Sequence, residues 1–262
     1  MLKYAKRIVI KIGSSLIIGE DGLVRSDWLA TLAYDIAKLK TDGKEIIVVT
    51  SGAVGVGRSV LGYGNRELKL GEKQAAAACG QALLMEHWRQ AFCANILALL
   101  NAAQMLLTAD DIHNHLRATN ARNTLETLLK NTSIIPIINE NDTVATEELR
   151  VGDNDSLAAF VAEMAGADLL ILFSDIDGLY NSNPRANPEA QFQAEVPEIT
   201  KEIEAMAGGA GSAVGTGGMA TKIIAAKIAT NAGCNMIIAR GTENHPLQAL
   251  IDGGKCTKFI AK

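Results

Sequence analysis

Short apolar runs alternate with longer amphipathic stretches along this 262-residue chain. The apolar runs predict buried strands, and the stretches with a period near 3.6 predict helices. Continuous apolar strands separated by helices indicate a parallel sheet covered on both faces, and so an α/β fold. The predicted strands span 7–12, 45–50, 104–108, 134–138, 168–173 and 235–240, with a short edge strand at 257–260. The predicted helices span 27–40, 72–94, 116–130, 156–165 and 222–231. No tandem repeat or clear linker interrupts the pattern, which predicts one domain over 1–262.

The residues after the predicted strands are where such a sheet binds ligands, beyond its carboxyl ends. Four of these positions carry small or polar residues: Gly13-Ser14-Ser15, Ser51-Gly52-Ala53, Asn139-Glu140-Asn141-Asp142 and Ser174-Asp175. None of them continues the apolar pattern. The sequence therefore predicts a polar site along this edge.

The stretch from Gly215 to Lys222 is rich in glycine and opens onto a predicted helix. Glycines let backbone N–H groups approach a ligand closely, and a helix N-terminus attracts anions. Lys222 adds a full positive charge beside them. The stretch predicts a site for a phosphorylated ligand.

Lys11 and the segment 151–155 supply further charges near that predicted site. Lys11 lies between two isoleucines at the end of a strand, where a lysine is costly unless it is paired; a solvated terminal lysine is the alternative. Asp153, Asn154 and Asp155 precede a helix, and one of them serves as an N-cap in the simplest interpretation. Two lysines with nearby acids favour phosphoryl transfer, which depends on positioning and charge stabilisation.

Other familiar motifs fit less well. A P-loop requires lysine after glycine, but Lys222 follows Thr221. Gly215, Gly217 and Ala220 match a dinucleotide fingerprint weakly, and the acid that an NAD-binding dehydrogenase needs about 20 residues later is missing at 233–235. The Asp- and His-rich stretch 110–115 lacks regular metal-ligand spacing, so we interpret it as a polar loop and predict no protein-held metal site.

Composition narrows the class of protein. Hydrophobic residues make up 48% and charged residues 21%, as in globular proteins, and the net charge of −4 disfavours nucleic acid as a partner. The four cysteines, Cys79, Cys93, Cys234 and Cys256, form no CxxC pair and lie among apolar residues. Neither a signal peptide nor a membrane span is predicted, so we expect a cytoplasmic protein that does not bind membranes.

Seven stretches together resemble the glutamate 5-kinases of the amino acid kinase superfamily. They occur in the family's order at 9–15, 49–54, 120–124, 135–142, 151–155, 174–180 and 215–222. The resemblance implies a three-layer α/β/α sandwich around a mainly parallel sheet. It also implies transfer of the ATP γ-phosphate to the γ-carboxylate of L-glutamate, the first step of proline synthesis. Many members continue into a C-terminal PUA domain, which this 262-residue sequence is expected to lack.

The resemblance also implies roles for individual residues. Lys11 and Lys222 would neutralise the transferring phosphoryl group, with Asp155 orienting both. Glutamate would be held by Ser51, Gly52, Asp142 and Asn154, with Asp142 on its α-ammonium group. The nucleotide would be lined by Lys11, Gly13, Ser174, Asp175, Thr216, Gly217, Gly218, Met219, Ala220, Thr221 and Lys222. Mg²⁺ would be held mainly by the ATP phosphates.

The family resemblance extends to partners: proline as a feedback inhibitor, a homo-oligomer, and glutamyl phosphate reductase. Two alternatives remain open at this point. A relative in the superfamily would act on another acid, such as N-acetylglutamate or aspartate. A non-catalytic nucleotide-binding module is the other, although the presence of both Lys11 and Lys222 argues against it.

Overall fold

An eight-stranded, mainly parallel sheet forms the centre of the computed structural model, which describes residues 1–95, 97, 99–145, 154–208 and 218–262. Its strands in chain order are β1 (Arg7–Ile12), β2 (Glu45–Val49), β3 (Asn101–Leu107), β4 (Ile134–Glu140), β5 (Leu169–Ser174), β8 (Glu195–Val196), β9 (Asn235–Arg240) and β10 (Cys256–Phe259). Between β5 and β8, the strands β6 (Leu179–Tyr180) and β7 (Phe192–Gln193) pair with each other as a separate short hairpin. The spatial order is β3-β4-β2-β1-β5-β9-β10-β8, in which β10 runs antiparallel to β9.

Helices connect most of these strands. They are α1 (Ser14–Ile17), α2 (Ser26–Thr41), α3 (Ala53–Val60), α4 (Leu70–Cys93), α5 (Ala109–His113), α6 (His115–Leu129), α7 (Asn154–Ala165), α8 (Lys201–Ala207), α9 (Met219–Asn231) and α10 (Pro246–Ile251). No helix in the described ranges is long and apolar enough to cross a membrane.

The sheet has a hydrophobic core on each side, because alternate side chains of a strand point to opposite faces. Ile8, Ile10 and Ile12 of β1 pack in a core with α2, α4 and α10, which we call the α2/α4 face. Val9 of the same strand packs in the other core, with α6, α7 and α9, which we call the α7/α9 face. The three-layer α/β/α sandwich and its mainly parallel sheet are therefore confirmed.

The predicted long elements are confirmed with small shifts of their ends. The predicted strand at 257–260 forms as β10, one residue earlier, but it is not an edge strand, because β8 pairs with its outer side. The polar stretch 110–115 is not only a loop: α5 forms there, since Thr108 caps it and Arg117 pairs with Asp110 and Asp111. Helices of about two turns or fewer, such as α3, and two-residue strands, such as β8, are too short for a periodic pattern to reveal.

Helices α3 and α4 cross with their backbones in contact, through Gly57 and Gly80. A Cβ atom at Gly57 would lie 1.7 Å from the carbonyl oxygen of Ala76, and one at Gly80 would lie 1.8 Å from that of Ala53. Only glycine fits at either position. This crossing matters for the site because α3 begins directly after Ser51-Gly52.

Candidate active site

Lys11, Asp155 and Lys222 meet between the sheet and the α7/α9 face. Lys11 Nζ lies 2.5 Å from Asp155 Oδ1, and Lys222 Nζ donates a hydrogen bond of 2.8 Å to Asp155 Oδ2. Asp155 has no exposed surface, and the lysines expose only 6% and 4% of theirs. We call these three side chains the lysine–aspartate cluster.

Three separate elements build this cluster. The alternation that sends Ile10 and Ile12 to the α2/α4 face sends Lys11 to the opposite side, toward α7 and α9. Asp155 is the second residue of α7, and Lys222 is the fourth residue of α9. The sequence predicts the cluster's members, but α9 begins three residues before the predicted start at 222.

The charges in the cluster stabilise one another. Burial alone would raise the pKa of Asp155, but the positive charges of Lys11 and Lys222 outweigh burial and hold the pKa below its ordinary value. Asp155 is therefore ionised near neutral pH. Two ammonium groups and one carboxylate leave a net charge of +1, buried at the end of β1. Such a centre suits a ligand group that carries negative charge.

The start of α9 lies directly beside the cluster. Gly218 occupies the N-cap position, and Thr221 Oγ1 lies 3.2 Å from Asp155 Oδ2 and 2.7 Å from Gly218 O. Met219 and Ala220 fill the first turn, where backbone N–H groups have no partner within the helix and attract anions. Thr216 and Gly217, also predicted to line this site, lie outside the described residues.

Asn154 connects the cluster to the neighbouring strand ends. Its Nδ2 atom lies 2.6 Å from Thr50 O, 2.9 Å from Ser51 Oγ and 2.8 Å from Asn139 Oδ1. We call Asn154, Ser51, Asn139 and the Thr50 backbone the amide network. Since Asn154 precedes Asp155 in the chain, one turn of α7 belongs to both groups. The sequence predicts Ser51 and Asn154 as site residues, but it does not single out Asn139, although Asn139 belongs to the polar stretch that follows the predicted strand 134–138 and that lies at the end of β4 in the structure.

Gly52 forms a sharp bend between β2 and α3. Its φ of +103° lies in the left-handed region that favours glycine, and it occupies the N-cap position of α3. The bend turns the chain away from the sheet directly after Ser51. The predicted pair Ser51-Gly52 therefore lies at the carboxyl end of β2, next to the amide network.

Asp142 lies in the turn that follows β4, two residues beyond the strand's end at Glu140. The turn is fixed by a hydrogen bond from Asn141 N to Leu107 O, at 2.9 Å, and by bonds from Val144 N and Ala145 N to Asn141 O. Asp142 is half-buried there, on the same edge of the sheet as Ser51 and Asn154.

Ser174 ends β5 on the other side of the cluster, and Asp175 follows it directly. Ser174 Oγ lies 3.1 Å from Asp175 Oδ1, and Arg185 Nη2 donates to Asp175 Oδ2 over 2.7 Å. Burial raises the pKa of Asp175, but the hydrogen bonds from Arg185 and Ser174 outweigh it, so the net change is downward. Sequence patterns do not point to Arg185, which lies in a loop without periodicity.

Gly13 lies between the amide network on one side of the cluster and Ser174-Asp175 on the other. It follows β1, and a Cβ atom there would lie 3.8 Å from Phe173 O and 3.9 Å from Lys11 Nζ. The structure thus brings the described predicted residues to the carboxyl edge of β1, β2, β4 and β5 and to the starts of α7 and α9. Within the described residues, no group of three or more His, Cys, Asp or Glu side chains is arranged to hold a metal ion.

The fold and this edge of strand ends define a class of protein. Residues 6–240 match the model of the amino acid kinase family, and the chain belongs to that family. It is 57% identical to a glutamate 5-kinase of Paramagnetospirillum magneticum over 99% of this chain and 69% of that relative. A glutamate 5-kinase of Rhodopseudomonas palustris is 54% identical over 99% of this chain and 68% of the relative.

Solved structures share the same fold at much lower identity. Carbamate kinase from Giardia lamblia bound to AMP-PNP matches with a TM-score of 0.66 at 18% identity, covering 100% of both chains. UMP kinase from Bacillus anthracis matches with a TM-score of 0.62 at 14% identity, covering 98% of this chain and 96% of the other. At these identities the likeness concerns the fold alone.

Proposed function

We propose that this protein transfers the γ-phosphoryl group of ATP to the γ-carboxylate of L-glutamate, forming L-glutamyl 5-phosphate and ADP. The observation that carries the proposal is the buried pair of lysines on the single carboxylate of Asp155. The choice of glutamate is supported by the curated relatives, which are glutamate 5-kinases at 52–57% identity in the examples compared. This reaction is the first step of proline biosynthesis.

In this mechanism a γ-carboxylate oxygen forms a bond to the γ-phosphorus while the bond from that phosphorus to the ADP oxygen breaks. A glutamate side chain has a pKa of about 4.3 and is already ionised near neutral pH, so the step requires no general base. The main barrier to the step is the electrostatic repulsion between the carboxylate and the negatively charged polyphosphate. Lys11 and Lys222 would offset that repulsion, most strongly as charge spreads over the transferring group.

Asp155 would act by holding both lysines in place rather than by touching the phosphoryl group. Its two oxygens are each occupied by one ammonium group, at 2.5 and 2.8 Å. An ionised Asp155 keeps the two lysines close despite their like charges. The three side chains together carry a formal charge of +1, which fits a transferring anion.

Substrate and nucleotide would lie on opposite sides of the cluster. Glutamate would contact Ser51, Gly52, Asn154 and Asp142, where the carboxylate of Asp142 suits an α-ammonium group. ATP would lie along Gly13, Ser174, Asp175, residues 216–217 and Gly218 to Thr221, with its phosphates at the start of α9. Mg²⁺ would be bound by the ATP phosphates, because both oxygens of Asp155 face lysines. When bound, it would withdraw negative charge from the phosphates.

Further partners are proposed on chemical grounds. Proline shares the α-carboxylate and the α-amino group of glutamate, so it would compete at the same residues as a feedback inhibitor. The acyl phosphate product is reactive, which favours a nearby glutamyl phosphate reductase. A homo-oligomer, the cytoplasmic location and the organisation as one kinase domain stay predictions.

An ADP-release assay with three acids tests the proposal. We expect turnover of L-glutamate to exceed that of N-acetylglutamate and aspartate, because Asp142 would bind a free ammonium group. Faster turnover of N-acetylglutamate would favour the other superfamily activity. No turnover of any acid, with ATP bound, would favour a non-catalytic nucleotide-binding module.

A further inference from the structure

Helix α4 contacts the turn that carries Asp142 at both of its ends. Gln81 Nε2 donates to the carbonyl oxygen of Glu140 over 3.3 Å, and Gln74 Nε2 donates to that of Ala145 over 3.2 Å. We call residues 140–145 the acidic turn. These two bonds attach its first and last residues to one rigid helix.

The two glutamines are arranged for this contact. They are seven residues apart, which is about two helical turns, so their side chains leave α4 on the same side. Gln81 is only 8% exposed, and Gln104 Nε2 donates to its Oε1 atom over 3.3 Å. That bond orients the Gln81 amide, so that its nitrogen faces Glu140.

The same helix also supports the loop on the other side of the substrate position. Trp88 Nε1 donates to Thr50 Oγ1 over 3.3 Å, directly before Ser51. Through Gly80, α4 also contacts Gly57 of α3, the helix that begins after Gly52. Helix α4 is thus a common support for the two loops proposed to hold glutamate, although it supplies none of the predicted contacts to the substrate.

We propose that Gln74 and Gln81 are positioning residues that set the acidic turn for recognition of the substrate's α-ammonium group. This rests on the proposed function. Asn141 N bonds to Leu107 O and Ala145 is buried, but Thr143 and Val144 at the tip of the turn are exposed, so the tip itself contributes little packing. A charge-assisted hydrogen bond requires a short distance and a nearly linear geometry, so a small displacement of Asp142 weakens its contact with an ammonium group. The phosphoryl-transfer cluster lies on other elements and would be left in place.

The test replaces Gln74 with methionine, which keeps the length of the side chain and removes the donor. We expect the KM for L-glutamate to rise about tenfold, as for the loss of roughly 1.4 kcal/mol. The kcat and the KM for ATP should stay within about twofold. Glutarate, which lacks the ammonium group, is the second substrate. The ratio of kcat/KM for glutamate to that for glutarate should fall about tenfold, because only the ammonium contact weakens.

Two further variants keep the result interpretable. Gln90→Met changes an exposed glutamine of the same helix, bonded only to Glu86 among the contacts described, and should leave every constant within about twofold. Gln81→Met should repeat the selectivity change at the other end of the turn, and thermal unfolding reports whether it is folded. An unchanged glutamate-to-glutarate ratio in a folded Gln74→Met variant would overturn the proposal. So would equal losses for glutamate and ATP. A wild-type protein that does not phosphorylate glutamate would refute the proposed function, and the positioning role with it.

Discussion

The lysine–aspartate cluster and the amide network lie side by side, yet they are built from different interactions. In the cluster, full charges are buried and each lysine pairs with one oxygen of Asp155. In the network, neutral groups share hydrogen bonds through Asn154. Asp142, outside the network, lies half-buried in the turn after β4. Residues 154 and 155, adjacent at the start of α7, connect the two.

In the proposed mechanism, this difference corresponds to two chemical tasks. A transferring phosphoryl group needs concentrated positive charge in a water-poor place, where an electrostatic interaction is strong. Recognition of an amino acid needs several directed contacts of modest strength, whose sum selects the ligand. The comparison predicts that changes in the cluster act mainly on kcat, and that changes in the network act mainly on the KM for glutamate.

The largest effect is expected from Lys222→Ala. Removal of a cation that stabilises a transferring phosphoryl group costs about 10³–10⁵-fold in kcat in related chemistry, and we expect a loss in that range. Steady-state kinetics with glutamate and ATP measure it. Lys227→Ala is the matched control, because Lys227 lies on the same helix in a half-exposed pair with Glu204 and should change kcat less than about twofold. A Lys222→Ala enzyme within tenfold of wild type would remove Lys222 from the transition state.

The second largest effect is expected from Asp155→Asn, and it is an effect on the free energy of unfolding. The variant keeps the shape of the side chain but leaves two buried ammonium groups without their carboxylate, which costs about 3–5 kcal/mol in the free energy of unfolding. Urea unfolding of both proteins measures the difference. Glu204→Gln, which removes the half-exposed partner of Lys227, should cost about 1 kcal/mol or less.

The stabilisation that the Asp155 carboxylate gives the cluster should depend on pH. The pKa of Asp155 is lower in the folded protein than its unfolded value of about 3.9. Its stabilisation is therefore fully present above pH 4 and is lost as the pH falls through the folded-state pKa. The stability difference between wild type and Asp155→Asn should narrow below pH 4. A difference that stays constant down to pH 2 would show that the carboxylate charge does not stabilise the cluster.

Much of the fold is predictable from sequence because β1, β5 and β9 are mostly apolar runs, α2 has a helical period, and α4 is a long alanine-rich stretch. The same pattern locates the site, since the carboxyl ends of parallel strands share one edge. The cost of burying an unpaired lysine predicts that Lys11 has an acidic partner, and only the family resemblance identifies that partner as Asp155. The residue roles stay predictions.

Other features are not accessible to sequence patterns. The crossing of Gly57 and Gly80 depends on how two helices pack, and neither glycine lies in a recognisable turn motif. Asn139 becomes part of the network only because β4 lies beside β2 in the sheet. Gln74 and Gln81 look like ordinary polar residues of a long helix. In each case the decisive partner is far away in sequence, and short-range periodicity carries no information about it.

The smallest of these effects is expected from Asn154→Ala, and it tests whether the two regions are separable although residues 154 and 155 are neighbours. The loss of its amide removes bonds to Thr50 O and Ser51 Oγ, while Asn139 Oδ1 still accepts from Glu140 N. We expect the KM for glutamate to rise about 10-fold to 100-fold, equivalent to roughly 1.4–2.8 kcal/mol, with kcat and the KM for ATP within about threefold. Asn231→Ala, at the exposed far end of α9, is the control. A fall in kcat as large as that of Lys222→Ala, with the KM for glutamate unchanged, would show instead that the start of α7 acts as one unit in phosphoryl transfer.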